Sequence, residues 1–565
     1  MKEKLQLYPH ILPNLEDWPI YKLSVQRRDF IKEINRFTLE RFKDKYQGDF
    51  DELLAKTVYQ ERIRIRSKPW RVDRPDEQQF WTKVYDALNE TSTLTDPKDL
   101  ESAQIQLLAR IIARYSDEIV GSFVPKTYLQ ARRILTAFFK RLLSKYARTA
   151  KGWGKKEQLY HRIKIYGPIE MIRELARKGT VILVPTHFSN LDSLLIGYAV
   201  DAKVGLPSFS YGAGLNLYNF GPAAYFMNRL GAYRVDRRKK NPVYLETLKS
   251  MSNLSIQKGT HSLFFPGGTR SRSGKAESKL KLGLLGTAIE AQRAICEKQI
   301  DNKVFVVPLI LDYHFVLEAR FLIEEYLQSQ GKERYMSIRD FSKSKRKLLK
   351  FLLQYYSRSS EIVMSFGRPF DVLGNFVSRD GSSVDEHGRP IEVADYFKLD
   401  GKVSKNLQRE SVYTKLLSDR IVERFQKDNV VLTSHLVAFT AFQMLMKDHP
   451  ELDLFGIMKL PFEDFQLSPE RFRSQVLIIL RQLKKMEAAN QIRLSEPLTW
   501  NLDELISDGI DKLGLYHDKK PLKISKESLI TSENFKLLFY YHNRLEDYNL
   551  DGLIRARSRT MATIS

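Results

Sequence analysis

The fold is decided by the stretch Val181-Ile182-Leu183-Val184-Pro185-Thr186-His187-Phe188-Ser189-Asn190-Leu191-Asp192. Its apolar run, Val181–Thr186, has the length and composition of a buried strand. His187 stands just past that strand, where side chains emerge at the edge of a sheet. From Asn190 to Val200 the pattern turns helical. Ser189 or Asn190 is placed to cap the helix, and Asp192 falls in its first turn. A carboxylate there can accept a hydrogen bond from one imidazole nitrogen of His187. The other nitrogen is then left to take a proton from a hydroxyl. The spacing alone is not special, because His542 and Asp547 repeat it. That copy lies in a helical segment, where residues five apart point well away from each other at about 100° per residue. The strand-to-helix setting makes the first copy informative.

Outward from this stretch, short apolar runs alternate with amphipathic segments. Val181–Thr186, Ser208–Tyr211, Ser262–Phe265, Phe305–Leu311 and Ile362–Phe366 read as strands. Pro168–Lys178, Asn190–Val200, Pro222–Leu230, Pro242–Lys258 and Lys279–Glu297 read as helices, three of them opening on a proline that a first turn tolerates. Such alternation predicts an α/β fold with a mixed, mainly parallel sheet flanked by helices. The chain divides into a helical N-terminal domain (1–165), the α/β domain (166–375), a polar loop insertion (376–403), a helical C-terminal domain (404–550) and a disordered tail (551–565).

The 565 residues carry a formal charge of +24. That excess points to an anionic partner: nucleic acid, an anionic membrane surface or a phosphorylated substrate. Two basic, aromatic stretches sharpen this. One runs from Ala131 through Lys156, with Glu157 the only acid between Ala131 and Gly167. The other is Phe341–Tyr356, which contains no acid. Each reads either as an ordinary helix with a solvated basic face or as a helix docking on anionic lipid. No zinc finger or RNA-recognition signature supports nucleic acid as the partner. The first fifteen residues lack the apolar run of a signal peptide. No segment reaches the roughly 18 to 20 uninterrupted apolar residues of a spanning helix. The nearest, Val430–Met446, contains Ser434, His435 and Gln443 and reads as a buried core helix. The single cysteine, Cys296, rules out an internal disulfide. No His/Cys cluster suggests a metal, and no Gly-x-Ser-x-Gly elbow suggests a serine nucleophile.

Three further segments carry chemistry. The second is Gly231-Ala232-Tyr233-Arg234-Val235-Asp236-Arg237. The third is Phe264-Phe265-Pro266-Gly267-Gly268-Thr269-Arg270-Ser271-Arg272-Ser273-Gly274-Lys275. There a strand runs into glycines that let backbone N–H groups approach a ligand, and Arg270 and Arg272 offer forked donors to a phosphate. The fourth is the buried strand Val304–Ile310 with Pro308. In this order the four segments resemble the acyltransferases of glycerolipid synthesis. The closer resemblance is to the bacterial membrane-associated glycerol-3-phosphate acyltransferases and their dihydroxyacetone-phosphate relatives. Ala213-Gly214-Leu215-Asn216-Leu217 and Phe535–Leu545 add to it.

The resemblance implies an O-acyltransferase of phospholipid biosynthesis, peripheral on the cytoplasmic side of a bacterial inner membrane. It implies a thioester co-substrate (acyl-CoA or acyl-carrier protein) and no cofactor or nucleic acid. By it, His187 is the general base, Asp192 its partner, and Arg237, Arg270 and Arg272 bind the glycerol phosphate, with Gly267, Gly268 and Pro308 in support. Glycerol 3-phosphate is the expected acceptor; dihydroxyacetone phosphate and lysophosphatidate are the alternatives. A non-catalytic protein binding anionic lipid or nucleic acid is the alternative of another class. One departure stands out: the family commonly has a glutamate where this chain has Gly267.

Overall fold

The computed structural model describes residues 6–555 apart from 48, 68–69, 71, 144–155, 216–217, 219–220 and 331–359. At its centre lies a seven-stranded sheet. Its strands are β1 (Ile163–Tyr166), β2 (Thr180–Pro185), β3 (Ser210–Gly214), β4 (Ala232–Val235), β5 (Ser262–Leu263), β6 (Val304–Tyr313) and β7 (Ile362–Phe366). They are ordered β1-β7-β6-β2-β5-β3-β4. The run from β6 to β4 is parallel, whereas β7 lies antiparallel to β6 and carries β1 parallel to itself. This is the mixed, mainly parallel sheet that the alternating pattern predicts.

The two strands absent from the sequence reading, β1 and β4, are the edges of the sheet. Each has four residues of mixed polarity and is only partly buried. Such strands carry little of the apolar signal that marks a central strand.

The pleat sorts the core into two layers. Val181 and Leu183 of β2, with Phe305, Val307, Leu309, Leu311 and Tyr313 of β6, face one cluster. Ile182 and Val184, with Val304, Val306 and Ile310, face the other. This is the period-2 alternation of a strand buried on both sides. The first cluster takes in the helix Asp192–Ala199 and C-terminal helices including Thr433–Asp448 and Phe535–His542. The second takes in Leu282–Glu297 and Leu407–Lys427. Helices of the 404–550 region thus cover both faces of the sheet.

Thr433–Leu445 is buried along its whole length, as a core helix would be. No helix among the described residues is long and apolar enough to cross a membrane. The N-terminal helices build a separate core around Trp81, Leu108, Ile111 and Tyr115, closed by Tyr233, Tyr244 and Leu248.

In the first basic stretch, Phe139, Leu142 and Leu143 of the helix Pro125–Leu143 are buried and Ile134 is exposed. The remainder, 144–155, and all of 341–356 lie outside the described residues. The 376–403 segment forms short antiparallel strands, Phe376–Val377, Ser383–Val384 and Pro390–Ile391. The tail expected to be disordered from 551 is ordered at its start. Asp551–Leu553 form a 3-10 turn and Ile554 buries its side chain in the core beneath. Residues 556–565 lie outside the described residues.

Candidate active site

His187 leaves the sheet two residues beyond β2, and Asp192 opens the following helix. The helix is capped differently from the sequence reading. Leu191 is the N-cap, without a side-chain bond of its own, and Ser189 Oγ accepts the Leu191 N–H at 3.2 Å just ahead of the helix. Instead the Asp192 carboxylate folds back into the turn. Its Oδ2 accepts from the backbone N–H groups of Phe188 (2.7 Å) and Ser189 (2.9 Å) and from His187 Nδ1 (2.8 Å). Its Oδ1 accepts from the Tyr313 hydroxyl at 2.6 Å. Asp192 is fully buried, so four donors on one carboxylate are what permits a charge there. Burial first, and the Asp192 charge second, hold the Tyr313 phenol well above its ordinary pKa, so it stays a donor.

A carboxylate can only accept, so Nδ1 of His187 carries the proton. Nε2 then presents its lone pair, and it has no hydrogen-bond partner among the described residues. The imidazole stacks on Phe265, ring centroids 3.9 Å apart and planes at 23°. Main-chain bonds bring the third segment to the first: the Ser271 N–H donates to His187 O at 2.7 Å. The C-terminal region supports both. Arg544 lies 3.9 Å over the Phe188 ring, and Asn543 donates to Ser273 O at 2.8 Å. Gly274, at φ +90°, leaves no room for a side chain against Tyr540 O.

The basic run of the second segment separates into two kinds of charge. Arg238 is held by Asp73 (2.5 Å) and Asp236 (2.8 Å), and the buried Lys239 by Glu118 (2.5 Å). Asp73 and Glu118 belong to the N-terminal helical region, so these cations fasten the second segment to it. Arg237 has no carboxylate partner among the described residues. Though exposed overall, its guanidinium is held below the ordinary arginine value by surrounding protein and then by the nearby charge of Arg270. Two cations close enough to disfavour each other would both be relieved by an anion between them.

Arg270 has a loose ion pair, 3.7 Å, with Glu318. Glu318 in turn accepts from Ser189 Oγ (2.9 Å) and the Asn190 N–H (3.0 Å). Arg272 is engaged by Glu325 at 3.1 Å on the surface, so its charge is already partnered. Gly268, at φ +76°, lies against the side chain of Lys281, which has no carboxylate partner among the described residues. Pro308 is buried in mid-sheet opposite Val184 and supports β2 from within the core. Among the described residues no group of three or more His, Cys, Asp or Glu side chains is placed to hold a metal ion.

Sequence reasoning missed Tyr313, Glu318, Lys281 and Glu277. Tyr313 ends β6 on the face that looks at the Asp192 helix, a position the strand's period of two could have supplied. Glu277 and Lys281 follow the third segment with no motif of their own. The second copy of the spacing is structural: His542 is buried, stacked on Phe439 at 5.0 Å and bonded to Gln443 at 2.9 Å, its pKa pushed down to about 3 by burial. Asp547 pairs instead with Lys275 at 3.4 Å.

A family model described as "Acyltransferase" matches residues 162–312. The glycerol-3-phosphate acyltransferase of Aeromonas hydrophila is 30% identical over 238 residues, 42% of this chain and 27% of the relative. That of Haemophilus ducreyi is 23% identical over 480 residues, 84% of this chain and 50% of the relative. The chain thus spans at most half the length of these curated relatives. The crystal structure of the 1-acyl-sn-glycerophosphate (LPA) acyltransferase PlsC from Thermotoga maritima aligns with a TM-score of 0.24 and 14% identity, over 61% of this chain and 92% of that one, a likeness too low to bear on the fold. The resemblance carried by the four segments is borne out: residues 162–312 match an acyltransferase family model, and both of these relatives bear the name glycerol-3-phosphate acyltransferase.

Proposed function

We propose that this protein transfers a fatty acyl group from a thioester to a hydroxyl of glycerol 3-phosphate, forming lysophosphatidate. The observation that carries the reading is His187. Its Nδ1–H is tied to the buried Asp192, its Nε2 has no partner among the described residues, and the segment that carries Arg270 is bonded to its main chain through Ser271. Nε2 takes the hydroxyl proton as the oxygen attacks the thioester carbonyl. The tetrahedral intermediate then collapses, the C–S bond breaks, and the imidazolium returns the proton to the departing thiolate. Asp192 holds the ring in the required tautomer and stabilises the imidazolium between the two transfers. A thiolate leaves readily, so no covalent acyl-enzyme is needed.

Arg237 and Arg270 hold the phosphate, and Lys281 is near enough to Gly268 to join them. Arg272 contributes by exchanging Glu325 for the phosphate. The donor is acyl-CoA or acyl-carrier protein, both acidic, and the net charge of +24 favours their approach as it does that of an anionic membrane surface. The protein works as a peripheral enzyme on that surface, on the cytoplasmic side.

The test is turnover of the purified chain with palmitoyl-CoA or palmitoyl-acyl-carrier protein and each of three acceptors: glycerol 3-phosphate, dihydroxyacetone phosphate and lysophosphatidate. Glycerol 3-phosphate should be acylated with the highest kcat/KM. A higher value for either rival acceptor would reassign the substrate, and no transfer to any would end the reading.

A further inference from the structure

The loop after the third segment returns to its own start. The Lys281 N–H donates to Pro266 O at 2.8 Å, closing the excursion between them. The return brings Glu277 over Gly267. A β-carbon placed on Gly267 would lie 2.6 Å from Glu277 Cγ and 2.9 Å from its Oε1. No side chain at 267 can therefore coexist with Glu277 as it stands. The carboxyl of Glu277 accepts the main-chain N–H of His187 at 3.0 Å through Oε1. Its Oε2 is buried and unpartnered among the described residues.

We propose that Glu277 is a positioning residue that fills, from ten residues downstream, the space a side chain at position 267 would occupy. It fixes the main chain of His187 so that the imidazole meets both Asp192 and the acceptor hydroxyl. This inference rests on the acyl-transfer reading given above. The two positions share one volume next to one backbone N–H, and a carboxyl reaches that volume from either side of the loop. Burial makes a group here costly unless it is bonded, and Glu277 keeps the bond to His187. The charged groups that bear on it are Asp192 on the neighbouring helix and Arg544 from the C-terminal region.

The test is a swap, read on the full chain against palmitoyl-CoA and glycerol 3-phosphate, together with hydrogen exchange of the peptide spanning His187. Glu277→Ala should lower kcat at least tenfold with KM for glycerol 3-phosphate held within threefold. It should also speed exchange at His187. Gly267→Glu in the otherwise unchanged chain should also lose activity, because the two side chains collide. Gly267→Glu combined with Glu277→Ala should recover most of the lost kcat and restore slow exchange. Glu277→Gln, which keeps the acceptor oxygen, should stay within about threefold of the parent.

Full kcat in Glu277→Ala would overturn the proposal, as would a double variant no better than that single one. Should the parent itself transfer no acyl group, the proposed function fails, and exchange alone decides the positioning role. Slow exchange in the parent and the swap but fast in Glu277→Ala upholds it; equal exchange in all refutes it.

Discussion

Replacing Asp192 by asparagine removes a charge and keeps a shape. The backbone N–H groups of Phe188 and Ser189, 2.7 and 2.9 Å from Oδ2, turn the amide oxygen of the replacement toward them. The amide nitrogen then takes the place of Oδ1, where the Tyr313 hydroxyl can rotate to accept. His187 Nδ1–H still finds an oxygen, so the productive tautomer survives. What disappears is the negative charge that stabilises the imidazolium. With charge centres about 4 Å apart and an effective dielectric of about 20, that is about 4 kcal/mol. All of it is lost at the transition state, so kcat should fall about a thousandfold. KM for glycerol 3-phosphate should stay within about threefold, since no phosphate contact changes. The assay is thiol release from palmitoyl-CoA dependent on glycerol 3-phosphate, with thermal unfolding as the control for fold. A folded Asp192→Asn enzyme within about tenfold of the parent kcat would refute the electrostatic role assigned to Asp192.

Three other changes probe neighbouring parts of the site. Tyr313→Phe strips the donor from Asp192 Oδ1 and should destabilise the protein by about 1–3 kcal/mol. It should also lower kcat about tenfold, and unchanged denaturation and kcat together would show the bond to be idle. Arg237→Ala and Arg270→Ala should each raise KM for glycerol 3-phosphate about ten- to a hundredfold, the worth of a charge-assisted hydrogen bond. A rise in the thioester KM instead would place them on the donor. Burial raises the Glu277 pKa from 4.5 to about 7. The neutral form is therefore favoured in the folded state, and this contribution to stability is complete below pH 4.5 and lost as pH rises through about 7. The loss approaches about 3 kcal/mol. Denaturation midpoints measured at pH 5 and pH 8 should differ less in Glu277→Gln than in the parent; an equal difference would contradict the burial assigned to this carboxyl.

Val181–Thr186, Phe305–Leu311 and Ile362–Phe366 were legible because apolar residues dominate each, and Ile362–Phe366 matches its observed bounds; Ser208–Tyr211, with two serines, is observed two residues later as Ser210–Gly214. The edge strands Ile163–Tyr166 and Ala232–Val235 were not, since half-exposed residues dilute the pattern. The His187–Asp192 pair was legible because both residues lie in one strand-to-helix turn, where sequence distance and spatial distance are nearly the same. Tyr313, Glu318 and Glu277 meet that turn from 277 to 318, and their approach depends on strand order and loop closure, which no local spacing encodes. The four cations from Arg237 to Lys240 look equivalent as sequence. Only the packing of the N-terminal helices, which supply Asp73 and Glu118, separates the structural Arg238 and Lys239 from Arg237. At Gly267 the sequence marked a departure, and only the loop closure shows that the Glu277 side chain lies against it.

His187 is the proposed base for acyl transfer. The decisive measurement is thiol release from palmitoyl-CoA, dependent on glycerol 3-phosphate, by the parent and by His187→Ala at equal thermal stability. The parent should release thiol and form lysophosphatidate in equal amounts, and His187→Ala should fall at least a thousandfold. Comparable turnover by the two proteins would contradict the account.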